Sequence, residues 1–149
     1  MNVASRSLLW CAVAFLEQGR VIDRLSRALT ASAIVSILIA LAIAAHPPRV
    51  LVGVASVAAI AGFAEMYFAV RVGFDASLFR RVADAEGLLD FAATDAALEA
   101  IGLMAPAKCG RPAEARIAGA RRLFLFQVLA LAAQVLSLLI GATIVLASP

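Results

Sequence analysis

Apolar residues run almost without interruption through three long stretches of this chain, residues 29–45, 50–72 and 123–147. The hydrocarbon core of a bilayer is about 30 Å thick, and a helix crosses it in roughly 20 residues. Each stretch is therefore long enough to span a membrane as a helix. The pattern predicts an all-α integral membrane bundle of three transmembrane helices.

The segment before the first stretch, residues 5–27, has the spacing of an amphipathic helix. Such a helix lies at the membrane surface, with its apolar side at the level of the lipid headgroups. The apolar positions are Leu8, Leu9, Val13, Leu16, Ile22 and Leu25, and the polar ones are Arg20, Asp23, Arg24 and Arg27. The alternative is that these residues form only the cytosolic turns of the first span. We expect the segment to be retained rather than cleaved, since no small-residue cleavage site follows its short apolar run.

Residues 73–122 predict a short helical hairpin. Apolar residues continue at helical spacing past Arg71 towards Glu86, and Gly87 is a plausible stop. Thr94 is a good N-cap for a helix over 95–104, which places Asp95 in its favourable first turn.

The last helix is predicted to begin at Arg111-Pro112, after a loop over 105–110. Proline is favoured at the first position of a helix. This helix can run unbroken to Ala147 and would carry the third span.

Composition agrees with a membrane protein, because 64% of the 149 residues are hydrophobic and the mean hydropathy is +0.98. Soluble domains average about 45–50% apolar residues. The polar remainder is too short to fold alone, so residues 1–149 are interpreted as a single membrane domain.

Positive charge is distributed unevenly along the chain. Eleven of the thirteen basic residues precede the first stretch or lie between the second and third, and Arg71 lies at the inner end of the second. Arg49 alone follows His46, Pro47 and Pro48 in a tight turn. Cytoplasmic loops are enriched in Lys and Arg. We therefore expect a cytosolic N-terminus and 73–122 loop, an external C-terminus, and residence in a bacterial inner membrane. Because the charges flank the spans, nucleic acid is not an expected partner.

The sequence contains no recognisable catalytic motif. The lone histidine, His46, lies on the predicted external side, away from most of the carboxylates. Cys11 and Cys109 are predicted to be free thiols, since neither has ligand spacing and both lie on the reducing side. We predict that the protein is not an enzyme and holds no metal or cofactor.

Small residues at four-residue spacing mark the expected helix-packing faces, because helices in lipid associate through close approach. The predicted packing residues are Ser32, Ser36 and Ala40 in the first span, Gly62 in the second, and Ser137 and Gly141 in the third. These faces would meet within the monomer or between copies.

Four polar residues lie in or at the edge of the spans, namely Glu65, Arg71, Gln127 and Gln134. A carboxylate in a span is costly and usually functional. Glu65 has three interpretations: a protonated group hydrogen-bonded to Gln127, an ion pair with Arg121 or Arg122, or a proton or cation site. The two glutamines lie on one helix face, where helix packing is favoured over a conduction path.

The basic residues before the third span, Arg116, Arg121 and Arg122, are predicted to contact anionic lipid headgroups. The leading functional hypothesis is an accessory or scaffold subunit of an inner-membrane assembly, with the bilayer and another membrane subunit or a second copy as partners. The alternative is a homo-oligomeric channel or small transporter that uses Glu65. A third class is a protein that permeabilises membranes.

Overall fold

The computed structural model describes residues 3–43, 49–85 and 91–147. Within these ranges all regular structure is helical. The helices are α1 (Val3–Glu17), α2 (Gly19–Ile43), α3 (Arg49–Asp84), α4 (Phe91–Ala100) and α5 (Ala113–Ala147), with one 3₁₀ turn at Pro106–Lys108. The predicted all-α class is confirmed.

Three segments are long and apolar enough to cross a membrane: Arg6–Ala42, Arg49–Asp84 and Ala113–Ala147. The first combines most of α1 with α2, and the other two are α3 and α5. The prediction of three potential spans is therefore confirmed. The interfacial placement of the N-terminal helix stays a prediction.

The continuous helix predicted over residues 5–27 is interrupted at Gln18, where α1 ends and α2 begins at Gly19. Glycine is poorly suited to a helix interior because its backbone loses more freedom on ordering than that of other residues. Residues 19–27 thus belong to α2, which continues into the apolar residues of the first span. The alternative interpretation predicted this for these residues.

The chain forms two compact units. The first unit comprises Met1–Gln18 and Arg71–Leu123, and the second comprises Gly19–Val70 and Phe124–Pro149. The first unit contains α1, α4 and the polar ends of α3 and α5. The second contains α2 and the apolar portions of α3 and α5.

The second long helix continues past Arg71 as predicted and ends at Asp84. The predicted stop at Gly87 and the predicted turn at His46-Pro47-Pro48 both lie outside the described residues, as does the end of the first predicted span at 44–45. The last helix runs unbroken from Ala113 to Ala147, and the carbonyl of Pro112 accepts a hydrogen bond from the amide of Arg116.

The helix predicted over 95–104 is displaced towards the N-terminus, because α4 covers Phe91–Ala100 and Thr94 lies inside it rather than capping it. Gly102 ends the helix with φ +74°. The amide of Leu103 donates to the carbonyl of Leu98, and the amide of Gly102 donates to that of Glu99. These two bonds form a Schellman motif, which satisfies the last carbonyls of a helix and favours glycine at this position.

Candidate functional site

The core of the second unit is built from small side chains. Ala33, Ala58 and Ala59 are buried, and Ile34 and Leu138 pack against them. Small residues allow helix backbones to approach closely. Gly62 lies at the tightest point, because a Cβ there would stand 1.9 Å from Thr30 Oγ1 and 2.7 Å from Gln134 Nε2.

Glu65 and Gln127 form a fully buried polar pair between α3 and α5. Gln127 Nε2 donates to Glu65 Oε1 at 2.7 Å and to the carbonyl oxygen of Gly19 at 2.8 Å. One amide therefore joins three helices. Glu65 Oε2 and Gln127 Oε1 are buried and accept no hydrogen bond.

Gln134 forms a second buried polar group with α2. Its Oε1 accepts from the hydroxyl of Ser26 at 2.9 Å, and its Nε2 donates to Thr30 Oγ1 at 2.8 Å and to the Ser26 carbonyl at 3.3 Å. The hydroxyl of Thr30 donates in turn to the Ser26 carbonyl. This network leaves no side-chain polar atom of Gln134 unpaired, as burial in a membrane helix requires.

The buried face of α5 follows a seven-residue period. Gln127, Gln134 and Gly141 are all buried and spaced seven apart. A seven-residue period keeps one seam of a helix against its neighbours. The prediction that the two glutamines share one face is confirmed, whereas Ser26 and Thr30, which complete the cluster, were missed by sequence reasoning.

The predicted small-residue stripe of the first span is largely exposed, although Ser36 borders an apolar cavity that residues of α3 and α5 also line. Ser32 and Ser36 are exposed, and their hydroxyls donate to the carbonyls of Ala28 and Ser32 on their own helix. Ala40 is half-buried. The helix α2 instead turns Ser26, Thr30 and Ala33 inward, a face of alternating four- and three-residue steps.

The packing residues predicted in the third span are more buried than those predicted in the first span. Gly141 is buried, and a Cβ there would lie 3.2 Å from Val54 Cγ1. Ser137 is half-buried and donates to the carbonyl of Ala133. The aromatic rings of Phe68 on α3 and Phe126 on α5 have centroids 5.5 Å apart.

The first unit contains a buried ion pair that the sequence did not reveal. Arg116 Nη2 donates to Asp95 Oδ2 at 2.6 Å, and the backbone amide of Gly110 donates to the same oxygen at 2.8 Å. The guanidinium of Arg116 lies 4.8 Å from the centre of the Phe91 ring. Burial tends to raise the pKa of Asp95, but the hydrogen bonds from Arg116 and Gly110 and the charge of Arg116 outweigh it, so this pKa lies below its usual value.

This pairing corrects two predictions. Asp95 is not a first-turn residue that favours a helix dipole but a buried acceptor in the second turn of α4. Arg116, predicted to contact lipid, has its guanidinium occupied by Asp95, and its side chain is 9% exposed. Arg121 and Arg122 are exposed, as lipid contact requires.

Arg71 is exposed and belongs to the first unit. Among the described residues of the second unit no basic side chain lies within ion-pair distance of Glu65, and the ion pair with Arg121 or Arg122 stays a prediction. Elsewhere in the first unit, Arg80 of α3 pairs with Glu17 of α1.

Both cysteines are free thiols, Cys11 exposed and Cys109 partly exposed. Burial and the neighbouring Glu99 carboxylate raise the pKa of the Cys109 thiol. In the part of the chain that the structure describes, no three His, Cys, Asp or Glu side chains are grouped so that they could hold a metal ion.

Comparisons of the chain with models of protein families, with curated proteins and with solved structures give no match.

Proposed function

We propose that this chain is a non-catalytic membrane protein, an accessory or scaffold subunit of a bacterial inner-membrane assembly. The observation that carries this proposal is the complete burial of Glu65, Gln127 and Gln134, each 0% exposed, in hydrogen bonds between helices. Polar groups used in this way fix the register of helices. The first unit, with its basic flanks, is then the cytosolic surface available to other subunits.

The polar side chains of the second unit favour helix packing over conduction. A conduction path requires polar groups that reach water, whereas these are enclosed. Two cavities of the second unit have mainly apolar linings, and neither includes Glu65 or a glutamine.

Glu65 acts in this proposal as a protonated carboxyl group. A carboxylic acid and a primary amide can form a ring of two hydrogen bonds, one from the amide nitrogen and one from the acid hydroxyl. The first of these is present, from Gln127 Nε2 to Glu65 Oε1. The two unpaired oxygens, Glu65 Oε2 and Gln127 Oε1, are the donor and acceptor positions of the second, respectively. One proton on Oε2 satisfies both and removes the charge, whose burial in lipid is costly.

Two substitutions at Glu65 separate a structural from a conducting role. Glu65→Gln retains the shape and a ring of two hydrogen bonds, so its unfolding free energy in micelles should stay within about 0.5 kcal/mol of the parent. Glu65→Leu should lose about 1–2 kcal/mol, because Gln127 keeps only its bond to Gly19 and its Oε1 is left buried without a partner. Liposomes containing either the parent or Glu65→Gln should leak protons no faster than empty ones. Proton flux in the parent that Glu65→Gln abolishes would favour the channel alternative and contradict the proposal.

The scaffold role requires a partner on the surface of the spans. The exposed face of α2 around Ser32 and Ser36 offers small residues on which a helix of another subunit or of a second copy can pack. Ser36→Leu should abolish recovery of a stoichiometric partner from native membranes without lowering helix stability. Val35→Leu, at a neighbouring exposed position, should leave recovery of the partner unchanged. Purification of the parent as a single monomeric chain under the same conditions would count against the scaffold role.

A further inference from the structure

The first unit contains an open cavity of about 270 Å³ between α3, α4 and α5, whose lining combines charged and apolar side chains. The basic residues of the lining are Arg71, Lys108, Arg111 and Arg116, and it includes one carboxylate, Asp75. The apolar residues include Phe74, Leu78, Leu98 and Leu103. A cavity of this kind suits a molecule that is anionic at one end and apolar at the other.

The positive charges of the cavity are only partly neutralised by the protein. Arg116 is paired with Asp95, and the charge of Arg71 acts on Asp75. Lys108 and Arg111 are exposed, and no carboxylate among the described residues lies within ion-pair distance of either. Two basic groups therefore remain for an external anion.

The position of the cavity along the chain relates it to the bilayer surface. Its lining includes Arg71, where the second apolar stretch ends, and Leu123, where the third begins. Residues at the ends of spans lie at headgroup depth, where lysine and arginine meet phosphate groups. A soluble phosphate compound would use the basic side chains of the cavity but not its apolar ones.

We propose that this cavity binds one anionic phospholipid. Its phosphate lies between Lys108 and Arg111, and the start of its acyl chains lies against Phe74, Leu78 and Leu98. The size of the cavity, just below the usual range of about 300–1,000 Å³ for ligand pockets, admits a headgroup and the adjoining part of the chains rather than a whole lipid. This site is distinct from Arg121 and Arg122, which are exposed and do not line the cavity.

Gly119 provides a way to close the cavity without disturbing the fold. It lies in the lining, inside α5, and a Cβ built there meets no atom within 4 Å. Replacement of a glycine in a helix interior also removes an unfavourable entropy of about 0.5–1 kcal/mol. Gly119→Phe should therefore fill the cavity and leave the protein folded.

The test uses the full chain, with lipid occupancy measured by native mass spectrometry at graded ratios of phosphatidylglycerol to phosphatidylcholine. The parent should retain one phosphatidylglycerol and no phosphatidylcholine. Lys108→Gln/Arg111→Gln should weaken retention about 10- to 30-fold, as expected for two charges near a lipid surface. Arg121→Gln/Arg122→Gln removes the same charge outside the cavity and should change retention less than threefold. Gly119→Phe should abolish retention while its thermal unfolding temperature does not fall.

Three results would overturn the proposal. Equal losses in the two double variants would mean that only general surface charge attracts lipid. Unchanged retention in Gly119→Phe would place the lipid elsewhere. Displacement of the lipid by millimolar inorganic phosphate, with phosphate retained in its place, would identify a site for a soluble anion.

Discussion

At the scale of single residues, the buried polar side chains of the second unit take their partners from neighbouring helices. Ser26, Gln127 and Gln134 each bond to an atom of another helix. Hydrogen bonds between membrane helices contribute on average only about 0.6 kcal/mol each, with a maximum near 1.7. Their main effect is to exclude alternative registers, because any other register would leave several polar groups unpaired in lipid.

Gly62 is the position where an added methyl group should destabilise the second unit most. Gly62→Ala places a Cβ within 1.9 Å of Thr30 Oγ1, which must move and break its bond with Gln134. We expect a loss of about 1–3 kcal/mol, the usual cost of overpacking. Gly53→Ala, where a Cβ meets nothing within 4 Å, should be neutral or slightly stabilising. Reversible unfolding in mixed micelles measures both, and equal effects would show that close approach at Gly62 is unimportant.

Asp95 should make the stability of the first unit depend on pH. The pKa of Asp95 is lowered in the folded state, so its contribution is present above its unfolded pKa of about 3.9 and is lost as the pH falls through the folded pKa. Asp95→Asn should cost about 3 kcal/mol at neutral pH, because it leaves the charge of Arg116 buried without a partner. The difference between the parent and the variant should shrink steadily below about pH 4.

Trp10, the single tryptophan, lies in the first unit and reports its unfolding by fluorescence. Asp84→Asn is the matched control, since Asp84 is exposed. If the stability difference between the parent and Asp95→Asn persisted unchanged at acidic pH, it would contradict the assigned role of the carboxylate charge.

At the scale of elements, glycine sets the limits of two helices. Gly19 begins α2 after the break at Gln18, and Gly102 ends α4 in the left-handed conformation. Both signals were present in the sequence but were overlooked, because the apolar spacing continued across Gly19 and Thr94 suggested a later start for α4.

Replacement of Gly102 should loosen the end of α4. Gly102→Ala forces a residue with a Cβ into φ +74°, at a cost of about 1–2 kcal/mol. Gly73→Ala, inside α3 in open space, should instead be neutral or stabilising. Amide hydrogen exchange at Leu103, whose amide bonds to Leu98, should speed up in the first variant only. Unchanged exchange there would show that the motif does not hold the helix end.

The helix α2 buries a different face from the strict four-residue stripe of small residues predicted from the sequence. Each step of four residues advances about 400° around a helix, so the stripe turns about 40° per step and leaves any one neighbour after a few turns. Alternating steps of four and three, as from Ser26 to Thr30 to Ala33, stay close to a single line. The alternating steps therefore suit packing within this chain, whereas contact of the predicted stripe with another copy or subunit stays a prediction.

At the scale of the whole molecule, the charge distribution predicts which parts of the chain face the cytosol. In spheroplasts, an impermeant maleimide should label Val50→Cys in a background of Cys11→Ser/Cys109→Ser, since Val50 is exposed and beside the predicted external turn. Native Cys109, studied with Cys11→Ser alone, should react only after permeabilisation. A mildly alkaline pH is needed, because the pKa of the Cys109 thiol is raised. The reverse pattern would invert the predicted topology.

The sequence by itself determined the class of the protein, the presence of three potential spans and the shared face of Gln127 and Gln134. These features follow from local composition and periodicity, which act along a single helix. The hydrogen bond between Gln127 and Glu65 was among the sequence-based alternatives, but the sequence did not choose it over an ion pair or a proton site.

Only the tertiary structure decided which partners meet. Ser26 and Thr30 reach Gln134 more than 100 residues away, and Asp95 reaches Arg116 across a loop. The rotation of one helix about its axis relative to another selects such pairs, and no local pattern specifies that rotation. The rotation is fixed because small residues such as Gly62 must fit closely while every buried polar atom finds a partner. Both conditions depend on all the packed helices together.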